Sequence, residues 1–548
     1  MSKRKRERTD GFTAALHWVT FATLMASFLT GLRISADRPE STWARAFEGI
    51  LPQGDVMSWH LWAGFTLALV SIAYIVFLIV SGVRSRIALN RARVTSVVTG
   101  SPRQRLRVVN VLIYWLGFTL LLLASATGVV HYLMPPFVRH ETLLAVHYYT
   151  AWLLLAYIAL HVGAQIAHGG LMRVLKILSP RPAYGSAALV ALAAAGYGGA
   201  ALLVLERTLL PELHVRYVAR APALDGRPQE AVWEHAPGVR IHTVRGANHD
   251  DGEVTVNINA VHDGEYLYTL FRWRDDTRSQ KHLPLVKTPG GWKVQQTEYG
   301  RQDEDFYYED KFAVMWANTA RNVAAGTVQL GRKPLDDKPG PTGGRGLHYT
   351  NNGQIVDVWH WKSVRTGSVA MGQIDDNYFG PPMPLNPNKK RYTGGYTQDP
   401  NTGGGYTMNW EQFNDDIIRP KRLPKDPSVL TRMGPVNLNP GAGDMGEFWL
   451  KLEETVPYTA TGDIYPVGTV MPSVLLKGNH RGDRGDVHAA STWRDGWWRM
   501  EVKRRLDTGS KYDVAFEHGE PLYMWVAAFD HAQTRHSYHI RPVRVVVQ

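Results

Sequence analysis

Five long apolar segments within the first 205 residues limit most strongly what this chain can fold into. A helix needs about 20 residues to cross the roughly 30 Å hydrocarbon core of a bilayer, and each segment is about that long. Because lipid offers the backbone no hydrogen bonds, segments of this kind are expected to form membrane-spanning helices. The predicted spans are Gly11–Leu32, Trp59–Ser81, Val108–Val130, Thr142–Ala167 and Ser186–Leu205.

The rest of the chain has the pattern of a water-exposed β domain. Aromatic and β-branched residues alternate with polar ones, and the Asp-Gly pairs at Asp263 and Asp495 are typical of tight hairpin turns. A Gly- and Pro-rich stretch, residues 330–445, is interpreted as long loops across one end of a sandwich. Predicted strands include Glu253–Ala260, Glu265–Trp273, Trp498–Leu506, Pro521–Phe529 and His539–Val547.

These patterns predict a multi-domain protein, with an all-α transmembrane helical bundle followed by an all-β sandwich. Residues 1–180 would form a bundle of four helices, and residues 181–210 a fifth transmembrane helix that serves as an anchor. Residues 211–548 would form the sandwich. A chain of 548 residues is too long for one domain, which agrees with this division.

The net charge of +12 lies entirely beside the apolar segments. Residues 1–205 hold 19 Lys and Arg against 7 Asp and Glu, whereas residues 206–548 hold 42 of each. A nucleic-acid-binding protein would carry its basic patch on the soluble domain, so no nucleic-acid partner is expected. Basic residues next to membrane spans instead indicate cytoplasmic loops.

The distribution of basic residues between the loops predicts the orientation. Fifteen Lys and Arg fall on the side of the N-terminus and four on the opposite side, so the N-terminus should be cytoplasmic. Five crossings then place the β domain outside, in the periplasm if the protein lies in the inner membrane of a Gram-negative bacterium. A cleaved signal peptide ending near Ala36 is the alternative for the first segment, although its apolar run is longer than a normal signal core.

The chain has no cysteine, which excludes disulfides, thiolate iron–sulfur clusters and covalent c-type haem attachment. Any redox centre must therefore use other ligands. The sequence also has no Gly-x-Ser-x-Gly elbow, no His-Glu-x-x-His motif and no phosphate-binding glycine loop. Hydrolytic and transferase chemistry are not expected.

Four histidines lie in the predicted spans, where ionisable side chains are costly and indicate function. His17 and His161 lie about two turns from the cytoplasmic ends of the first and fourth spans. His60 begins the second span from the other side, and His147 lies one to two turns into the fourth. The predicted topology therefore pairs His17 with His161 at one depth and His60 with His147 at another.

His147 and His161 are 14 residues apart, close to four helical turns, so both face the same way about 21 Å apart. One helix thus offers two ligands at two levels, which favours bis-imidazole ligation of two stacked haems. The alternative is that each histidine is a hydrogen-bonding group between helices. His131, His140 and His168 fall at helix ends and are interpreted as interfacial.

The first 180 residues carry the motifs of a known family. These are Leu16-His17-Trp18, Trp59-His60-Leu61-Trp62-Ala63-Gly64, and His147 with His161, Val162 and His168. Residues 10–180 therefore resemble the bacterial cytochrome b561 / Ni-hydrogenase cytochrome b subunit family. The resemblance implies two b-type haems and electron exchange with membrane quinone. It implies that His17 and His161 ligate the cytoplasmic-side haem, and His60 and His147 the other.

The second part resembles the ethylbenzene-dehydrogenase-type haem-binding domain, related to the γ subunits of the dimethyl-sulfoxide-reductase enzymes, over residues 214–545. The matching stretches are Leu224-Asp225-Gly226, Tyr308-Glu309-Asp310-Lys311, Val358-Trp359-His360-Trp361-Lys362, Asp375-Asp376-Asn377-Tyr378-Phe379-Gly380, and Trp498 to Asp513. The resemblance implies a β-sandwich that can hold a third b-type haem between a Met and a Lys.

Lys362 matches the lysine position of that family. Met315 is the first candidate for the methionine, with Met371, Met383 and His348 as the others. The alternative is that Lys362 is a solvated residue at a strand end and the domain serves only for docking.

The chain is therefore interpreted as a membrane-bound b-type cytochrome, an electron-transfer subunit of a respiratory oxidoreductase complex rather than a self-contained enzyme. It would pass electrons between membrane quinone and a periplasmic cytochrome or a molybdenum enzyme. A membrane-anchored, non-redox binding module is one alternative. A proton-conducting transporter that uses the same histidines is another.

Overall fold

The computed structural model describes residues 10–36, 43, 46–82, 87–134, 138–178, 185–299, 303–320, 326–330, 347–384, 392–412, 418–434, 436–444 and 446–548. The chain divides into two compact units, Met1–Leu209 and Leu210–Gln548. The first unit is helical in its described residues. The second is dominated by strands.

Five described helices are long and apolar enough to cross a membrane. They are α1 (Gly11–Ser35), α2 (Val56–Val80), α3 (Pro102–Leu133), α4 (His140–Gly169) and α5 (Ser186–Thr208). Helices α1 and α2 begin at capping carboxylates, because the Asp10 carboxylate accepts from the Phe12 and Thr13 amides and the Asp55 carboxylate accepts from the Ser58 amide. A five-span helical region is confirmed.

The helices of the first unit pack in a chain of neighbours. Among the described residues, the closely packed pairs are α1–α2, α2–α3, α3–α4 and α2–α5. Helix α5 reaches the bundle through small side chains, since Ala188 and Ala191 are buried in one cluster with Phe12 and Phe77. The predicted anchor helix is therefore packed against the bundle rather than separate from it.

The second unit contains twenty-four described strands. In chain order they are β1 (Glu212–Tyr217), β2 (Gly238–Thr243), β3 (Val254–His262), β4 (Tyr266–Arg274), β5 (Leu285–Thr288), β6 (Gly291–Val294), β7 (Lys311–Ala317), β8 (Val328–Gln329), β9 (Leu347–His348), β10 (Val356–Lys362), β11 (Asp375–Phe379), β12 (Tyr396–Gln398), β13 (Tyr406–Met408), β14 (Trp410–Gln412), β15 (Ile418–Pro420), β16 (Arg422–Pro424), β17 (Leu450–Lys451), β18 (Thr455–Pro457), β19 (Val470–Met471), β20 (Val474–Leu476), β21 (His488–Arg494), β22 (Trp497–Arg505), β23 (Pro521–Phe529) and β24 (Val543–Val547).

Shorter helical turns connect these elements. They are the α-helices Arg91–Thr99, Leu171–Val174, Ala231–His235 and Ser428–Arg432, and the 3-10 turns Glu48–Ile50, Leu175–Leu178, Asp250–Gly252, Leu452–Glu454 and Asp483–Gly485.

The long strands form two packed layers that share β1. One layer runs β12-β11-β10-β7-β23-β24-β1 and the other β1-β3-β4-β22-β21, with β2 added to β3. Residues 212–215 of β1 pair with β24, whereas residues 216–217 pair with β3, so β1 joins the two layers. The all-β sandwich is confirmed.

Aromatic side chains from both layers meet in the core of the sandwich. The ring of Trp273 on β4 stacks on that of Phe312 on β7 with centroids 4.5 Å apart, and Trp361 on β10 meets Trp498 on β22 at 5.0 Å. These tryptophans are almost completely buried. Such pairs bury much apolar area and therefore fix the spacing of the two layers.

The predicted hairpin at Asp495-Gly496 joins β21 to β22. Both residues have positive φ, 54° and 74°, as a two-residue turn of the I′ type requires. The Gly- and Pro-rich stretch contains more structure than the prediction of long loops, because its described residues include the short strands β9 to β16. Within it, residues 331–346, 385–391, 413–417, 435 and 445 lie outside the described part of the chain.

Candidate functional site

Helix α4 presents two histidines at two levels. His147 and His161 are separated by four turns, and Leu154 lies midway between them with only 1% of its surface exposed. Residues seven apart lie on nearly the same helical face, so all three point into the bundle. Leu154 thus fills the space between the two levels with apolar side chain.

Each of these histidines faces a second imidazole from another helix. The ring centroids of His17 on α1 and His161 lie 6.3 Å apart, with the ring planes 40° from each other. Those of His60 on α2 and His147 lie 6.2 Å apart, with an interplanar angle of 87°. The structure therefore brings together the two pairs that were grouped by depth. Their role as haem ligands stays a prediction.

The separation within each pair agrees with a metal between the rings. An imidazole nitrogen binds a metal at about 2.0 Å and lies about 1.1 Å from its ring centre, so two imidazoles on opposite sides of one iron have centroids about 6 Å apart. Both observed separations match this value. A direct hydrogen bond between two imidazoles would not require the same centroid separation in both pairs. The residues present therefore fit a bis-imidazole haem at each level.

The orientation of His60 is fixed by α1. Its Nδ1 atom lies 3.1 Å from the Ser27 carbonyl oxygen and 3.0 Å from the Thr30 hydroxyl oxygen. The Thr30 hydroxyl donates its own proton to the Ala26 carbonyl at 2.6 Å, so it accepts from the imidazole. Nδ1 therefore carries the proton, and the lone pair of Nε2 is left for a metal.

The same arrangement recurs at His147 with residues of α3. The Thr127 hydroxyl oxygen lies 3.0 Å from His147 Nδ1 and donates its proton to the Leu123 carbonyl at 2.7 Å. A glycine follows the threonine at both sites, Gly31 after Thr30 and Gly128 after Thr127. A Cβ atom on Gly31 would come within 3.1 Å of the His60 ring, and one on Gly128 within 3.2 Å of the His147 ring. Each imidazole is thus held by a Thr-Gly pair.

The surroundings of the His17–His161 pair are different. The ring of His161 stacks on Tyr157 with centroids 5.6 Å apart and contacts Tyr114 at 5.5 Å. Its Nδ1 atom is buried and has no hydrogen-bond partner in the described part of the chain. A group of polar side chains lies next to this pair. Gln165 donates to the Asn110 side chain at 2.7 Å and to the Tyr114 hydroxyl at 3.2 Å.

A third histidine contact was not anticipated from the sequence. His131 near the end of α3 and His140 at the start of α4 have ring centroids 5.8 Å apart. Both lie beside the connection between these helices, so they close the α3–α4 hairpin. Their separation in sequence, only nine residues across a loop, could have suggested this contact. The side chain of His168 lies outside the described part of the chain.

The two proposed ligands of the soluble domain are not brought together. Lys362 is buried and its amine is ion-paired with Asp375, and it lies 3.3 Å from the Tyr406 hydroxyl. In the ladder between β7 and β10, Met315 pairs with Val358. Lys362 pairs with Lys311, four residues before Met315. Lys362 is therefore not a solvated residue, but its described partner is a carboxylate.

The other candidates have separate environments. Met371 is buried in an apolar cluster with Val364, and the sulfur of Met383 lies 2.8 Å from the Thr397 hydroxyl. His348 stacks on Phe379 with centroids 4.5 Å apart and planes within 6°. Burial lowers the pKa of His348 to about 4, so the imidazole is neutral, and its buried Nδ1 has no hydrogen-bond partner within the described ranges.

Comparison with known proteins places both parts of the chain in families. Residues 230–541 match the family model described as ethylbenzene dehydrogenase. Residues 8–179 match the model described as prokaryotic cytochrome b561. No curated protein matches the chain.

Some solved structures are similar to the chain at low scores. A carbohydrate binding module of family 9 from Caldicellulosiruptor kristjanssonii, in complex with glucose, is 7% identical, covers 61% of this chain and 95% of its own, and has a TM-score of 0.22. The same module in complex with cellotriose is 7% identical, covers 62% of this chain and 93% of its own, and has a TM-score of 0.22. A protein from Bacteroides uniformis described as carbohydrate-binding is 6% identical, covers 62% of this chain and 100% of its own, and has a TM-score of 0.25. These scores carry no functional argument.

The first unit is thus a membrane helical bundle of the b-type cytochrome class, and the second is a β-sandwich domain. The chain belongs to the family described as ethylbenzene dehydrogenase, joined at its N-terminal side to a prokaryotic cytochrome b561 bundle. The bundle family implies haem b binding and electron transport in the membrane.

Proposed function

We propose that this chain transfers electrons between membrane quinone and a redox partner outside the cytoplasm, with two bis-histidine haems in its bundle. The observation that carries the proposal is the pair of imidazole contacts, His17–His161 and His60–His147, whose nearly equal centroid separations suit one iron each. Haem b supplies reversible one-electron chemistry when it is bound. The protein supplies the ligands, their orientation and the apolar surroundings.

The two pairs of proposed ligands differ in the hydrogen bonds that their imidazoles make. This difference favours two different reduction potentials. The Nδ1 atoms of His60 and His147 are hydrogen-bonded to threonine hydroxyls, and this makes the coordinating nitrogen a better electron donor. The Nδ1 atom of His161 has no such acceptor. The His60–His147 site is therefore expected to have the lower potential, other influences being equal.

The polar group beside His161 supports a quinone site at that level. Asn110 is buried within a membrane helix, and with Gln165 and Tyr114 it forms a hydrogen-bonding cluster where lipid would surround the bundle. Such side chains are costly in a bilayer and indicate a polar ligand or a proton path. A quinone headgroup offers carbonyl acceptors and, when reduced, hydroxyl donors.

The location of the partner follows from the orientation of the chain. The basic residues beside the spans support a cytoplasmic N-terminus in the inner membrane of a bacterium, and with five crossings the sandwich would lie in the periplasm. The resemblance of the sandwich to subunits of molybdenum enzymes supports such an enzyme, or a periplasmic cytochrome, as partner. The chain would act as the electron-transfer subunit of a respiratory complex.

The family resemblance implies a third haem between Lys362 and Met315, but these two side chains do not meet in the structure and do not fit one iron as they stand. In the structure, Lys362 is paired with Asp375, so iron would have to replace this carboxylate at the amine. The number of haems per chain therefore separates two forms of the proposal. Three haems would include the sandwich, and two would limit the cofactors to the bundle.

The decisive experiment is a haem count on the full-length protein in detergent, by pyridine haemochrome and a dithionite-reduced minus oxidised spectrum. We expect at least two b-type haems per chain. His161→Ala and His147→Ala should each remove one haem, and the two variants should leave haems with different reduced spectra and potentials. His131→Ala is the matched control, since it removes an imidazole of the same bundle outside both pairs.

The absence of haem from the purified wild-type protein would leave a non-redox binding module or a histidine-based proton transporter. Retention of both haems in His161→Ala would contradict the assignment of ligands. Loss of a haem in His131→Ala alone would transfer the ligand role to the third contact, between His131 and His140. Reduction of the haems by a short-chain quinol, abolished in Asn110→Leu with both haems present, would support the quinone site.

A further inference from the structure

Five aspartates from five separate segments converge at one edge of the sandwich. Asp357 lies on β10, Asp376 on β11, Asp399 after β12, Asp486 after the turn at 483–485, and Asp513 after β22. One oxygen each of Asp357, Asp376 and Asp513 lies within 4.8 Å of the other two. Asp399 interacts with Asp513, and Asp486 with Asp376, through their side chains. We call these five residues the aspartate cluster.

The carboxylates of the cluster lack protein donors for many of their oxygens. Asp357 and Asp376 have no exposed surface, yet Oδ1 of Asp357 and Oδ2 of Asp376 have no hydrogen-bond partner among the described residues. The same holds for both oxygens of Asp399 and for one oxygen each of Asp486 and Asp513. A buried oxygen that no donor satisfies is strongly unfavourable, so these atoms indicate a missing positive group.

The charge of the cluster is far from balanced. Arg504 is its single described cation, with its guanidinium 3.0 Å from Asp513 and 3.5 Å from Asp357. The described carboxylates of the cluster therefore outnumber its described cation, which leaves buried negative charge without a partner.

We propose that the aspartate cluster binds one divalent cation, with Ca²⁺ as the ion its chemistry suits best. Ca²⁺ takes six to eight oxygen ligands at about 2.4 Å, so two ligand oxygens on one ion lie at most about 4.8 Å apart, as the oxygens of Asp357, Asp376 and Asp513 do. The donors are all carboxylate oxygens. This set favours a hard cation over zinc or copper, which prefer nitrogen and sulfur.

A second acidic group differs from the aspartate cluster in its donors. Asp310, Asp530 and His531 also lie close enough together to hold an ion. In that group, however, Asp310 accepts from the amides of Ser279 and His531 and from the Trp498 indole. Both oxygens of Asp310 are therefore satisfied by protein donors.

The cation would join the two layers of the sandwich. Asp357 and Asp376 belong to the layer that contains β10 and β11, whereas Asp513 follows β22 of the other layer. A single ion held by all three would connect the layers and the turn at 483–486 at a point where carboxylate repulsion otherwise pushes them apart. The role of the site is therefore stabilisation of the domain, independent of haem binding.

The experiment uses the full-length protein in detergent, stripped with EGTA and titrated with Ca²⁺. Bound calcium is measured by elemental analysis after desalting, and Tb³⁺ emission is excited through tryptophan, because Trp359 lies directly opposite Asp376 between β10 and β11. Asp376→Asn removes a ligand charge. Asp507→Asn is the matched control, since Asp507 is an exposed residue of the loop that leads to Asp513.

We expect one Ca²⁺ per chain, Tb³⁺ emission that Ca²⁺ displaces, and a Tm higher by about 3 °C or more at millimolar Ca²⁺. Asp376→Asn should weaken Ca²⁺ binding at least about tenfold and abolish the Ca²⁺-dependent rise in Tm. In EGTA its Tm should equal or exceed that of the wild type, because one repelling charge is gone. Asp507→Asn should behave as the wild type.

Three results would overturn the proposal. They are the absence of bound Ca²⁺ and of sensitised Tb³⁺ emission, unchanged Ca²⁺ affinity in Asp376→Asn, and an equal loss of Tm in that variant with Ca²⁺ and with EGTA. The last result would assign Asp376 a purely structural role. A haem-free preparation that still binds Ca²⁺ would support the site while the proposed electron transfer fails, so the two proposals are tested separately.

Discussion

The imidazole Nδ1 of His60 lies 3.0 Å from the side-chain oxygen of Thr30 on the neighbouring helix. His147 and Thr127 repeat this contact at the same distance on a different pair of helices. The two ligands of one proposed haem are therefore oriented by equivalent hydrogen bonds from opposite sides. Protein groups of this kind fix the tautomer of a metal-binding histidine and its strength as an electron donor.

Substitution of this threonine tests whether it tunes the haem. Thr30→Val removes the hydroxyl but keeps the shape, so His60 keeps only the Ser27 carbonyl as acceptor. A less electron-rich imidazole stabilises ferric iron less, and we expect one midpoint potential to rise by tens of millivolts, since a tenfold change in affinity equals 59 mV for one electron. A spectroscopic redox titration measures the shift.

Thr23→Val provides the control for that measurement. The Thr23 hydroxyl bonds only to carbonyl groups of its own helix, α1. Both potentials should stay at their wild-type values in this variant. An unchanged pair of potentials in Thr30→Val as well would show that the hydroxyl does not influence the iron.

The close approach of glycine to each ligand predicts a second effect. Leucine at position 31 would place atoms where the His60 ring lies, because even a Cβ atom there comes within 3.1 Å of the ring. We expect Gly31→Leu to weaken haem retention at the His60–His147 site at least about tenfold and to leave the other haem in place. Gly64→Leu, on α2 with open space around its Cβ position, should keep both haems. Equal haem content in the two variants would argue against a crowded cradle at His60.

The sandwich should lose stability in mild acid because of His539. Its Nε2 accepts from the Val526 amide at 2.9 Å and its Nδ1 donates to the Arg541 carbonyl, so the folded domain requires a neutral ring. Burial lowers the pKa of His539 to about 4. Between pH 6.5 and about 4 the unfolded chain binds a proton that the folded domain does not, so stability falls as the pH falls, by about 3 kcal/mol for this group.

The dependence of the free energy of unfolding on pH is measured by urea unfolding of the full-length protein at a series of pH values. His539→Gln can keep both hydrogen bonds without a titrating ring, and its stability should depend less on pH across this window. His235→Gln removes an exposed histidine and should retain the wild-type slope. Identical slopes in all three proteins would rule out a contribution from His539.

Substitution of Lys362 distinguishes an ion pair with Asp375 from ligation of haem iron. Asp375 has no exposed surface, and Lys362→Met would leave its charge with Arg484 as the remaining cation. We expect a loss of about 3 kcal/mol in the free energy of unfolding, as for other broken buried ion pairs. Lys425→Met, at an exposed position, should lose almost nothing.

The haem spectrum is the second measurement on Lys362→Met. Loss of stability without a change in haem content would make Lys362 a structural partner of Asp375. Full stability together with the loss of one haem would instead show that the amine binds iron in the native protein.

The membrane part of the fold was accessible from the sequence because its rules are local. Hydrophobic length predicted the five helices to within a few residues at most ends, and only α3 begins clearly earlier, at Pro102, where basic residues extend the helix beyond the apolar core. The 14-residue spacing on α4 predicts its own geometry, since a single helix fixes both angle and rise. The strands β4, β22 and β23 were also predicted, because alternation of side chains is a property of each strand alone.

What the sequence determined by itself is the five long helices, several of the long strands, their order along the chain, and the two levels on α4 at which imidazoles are offered. Only the tertiary structure decided the partners: that Thr30 and Thr127 contact His60 and His147, that Lys362 meets Asp375, and that Asp357, Asp376 and Asp513 converge from distant segments. The physical reason is that spacing within one element is set by backbone geometry, whereas contacts between elements depend on how whole helices and sheets pack.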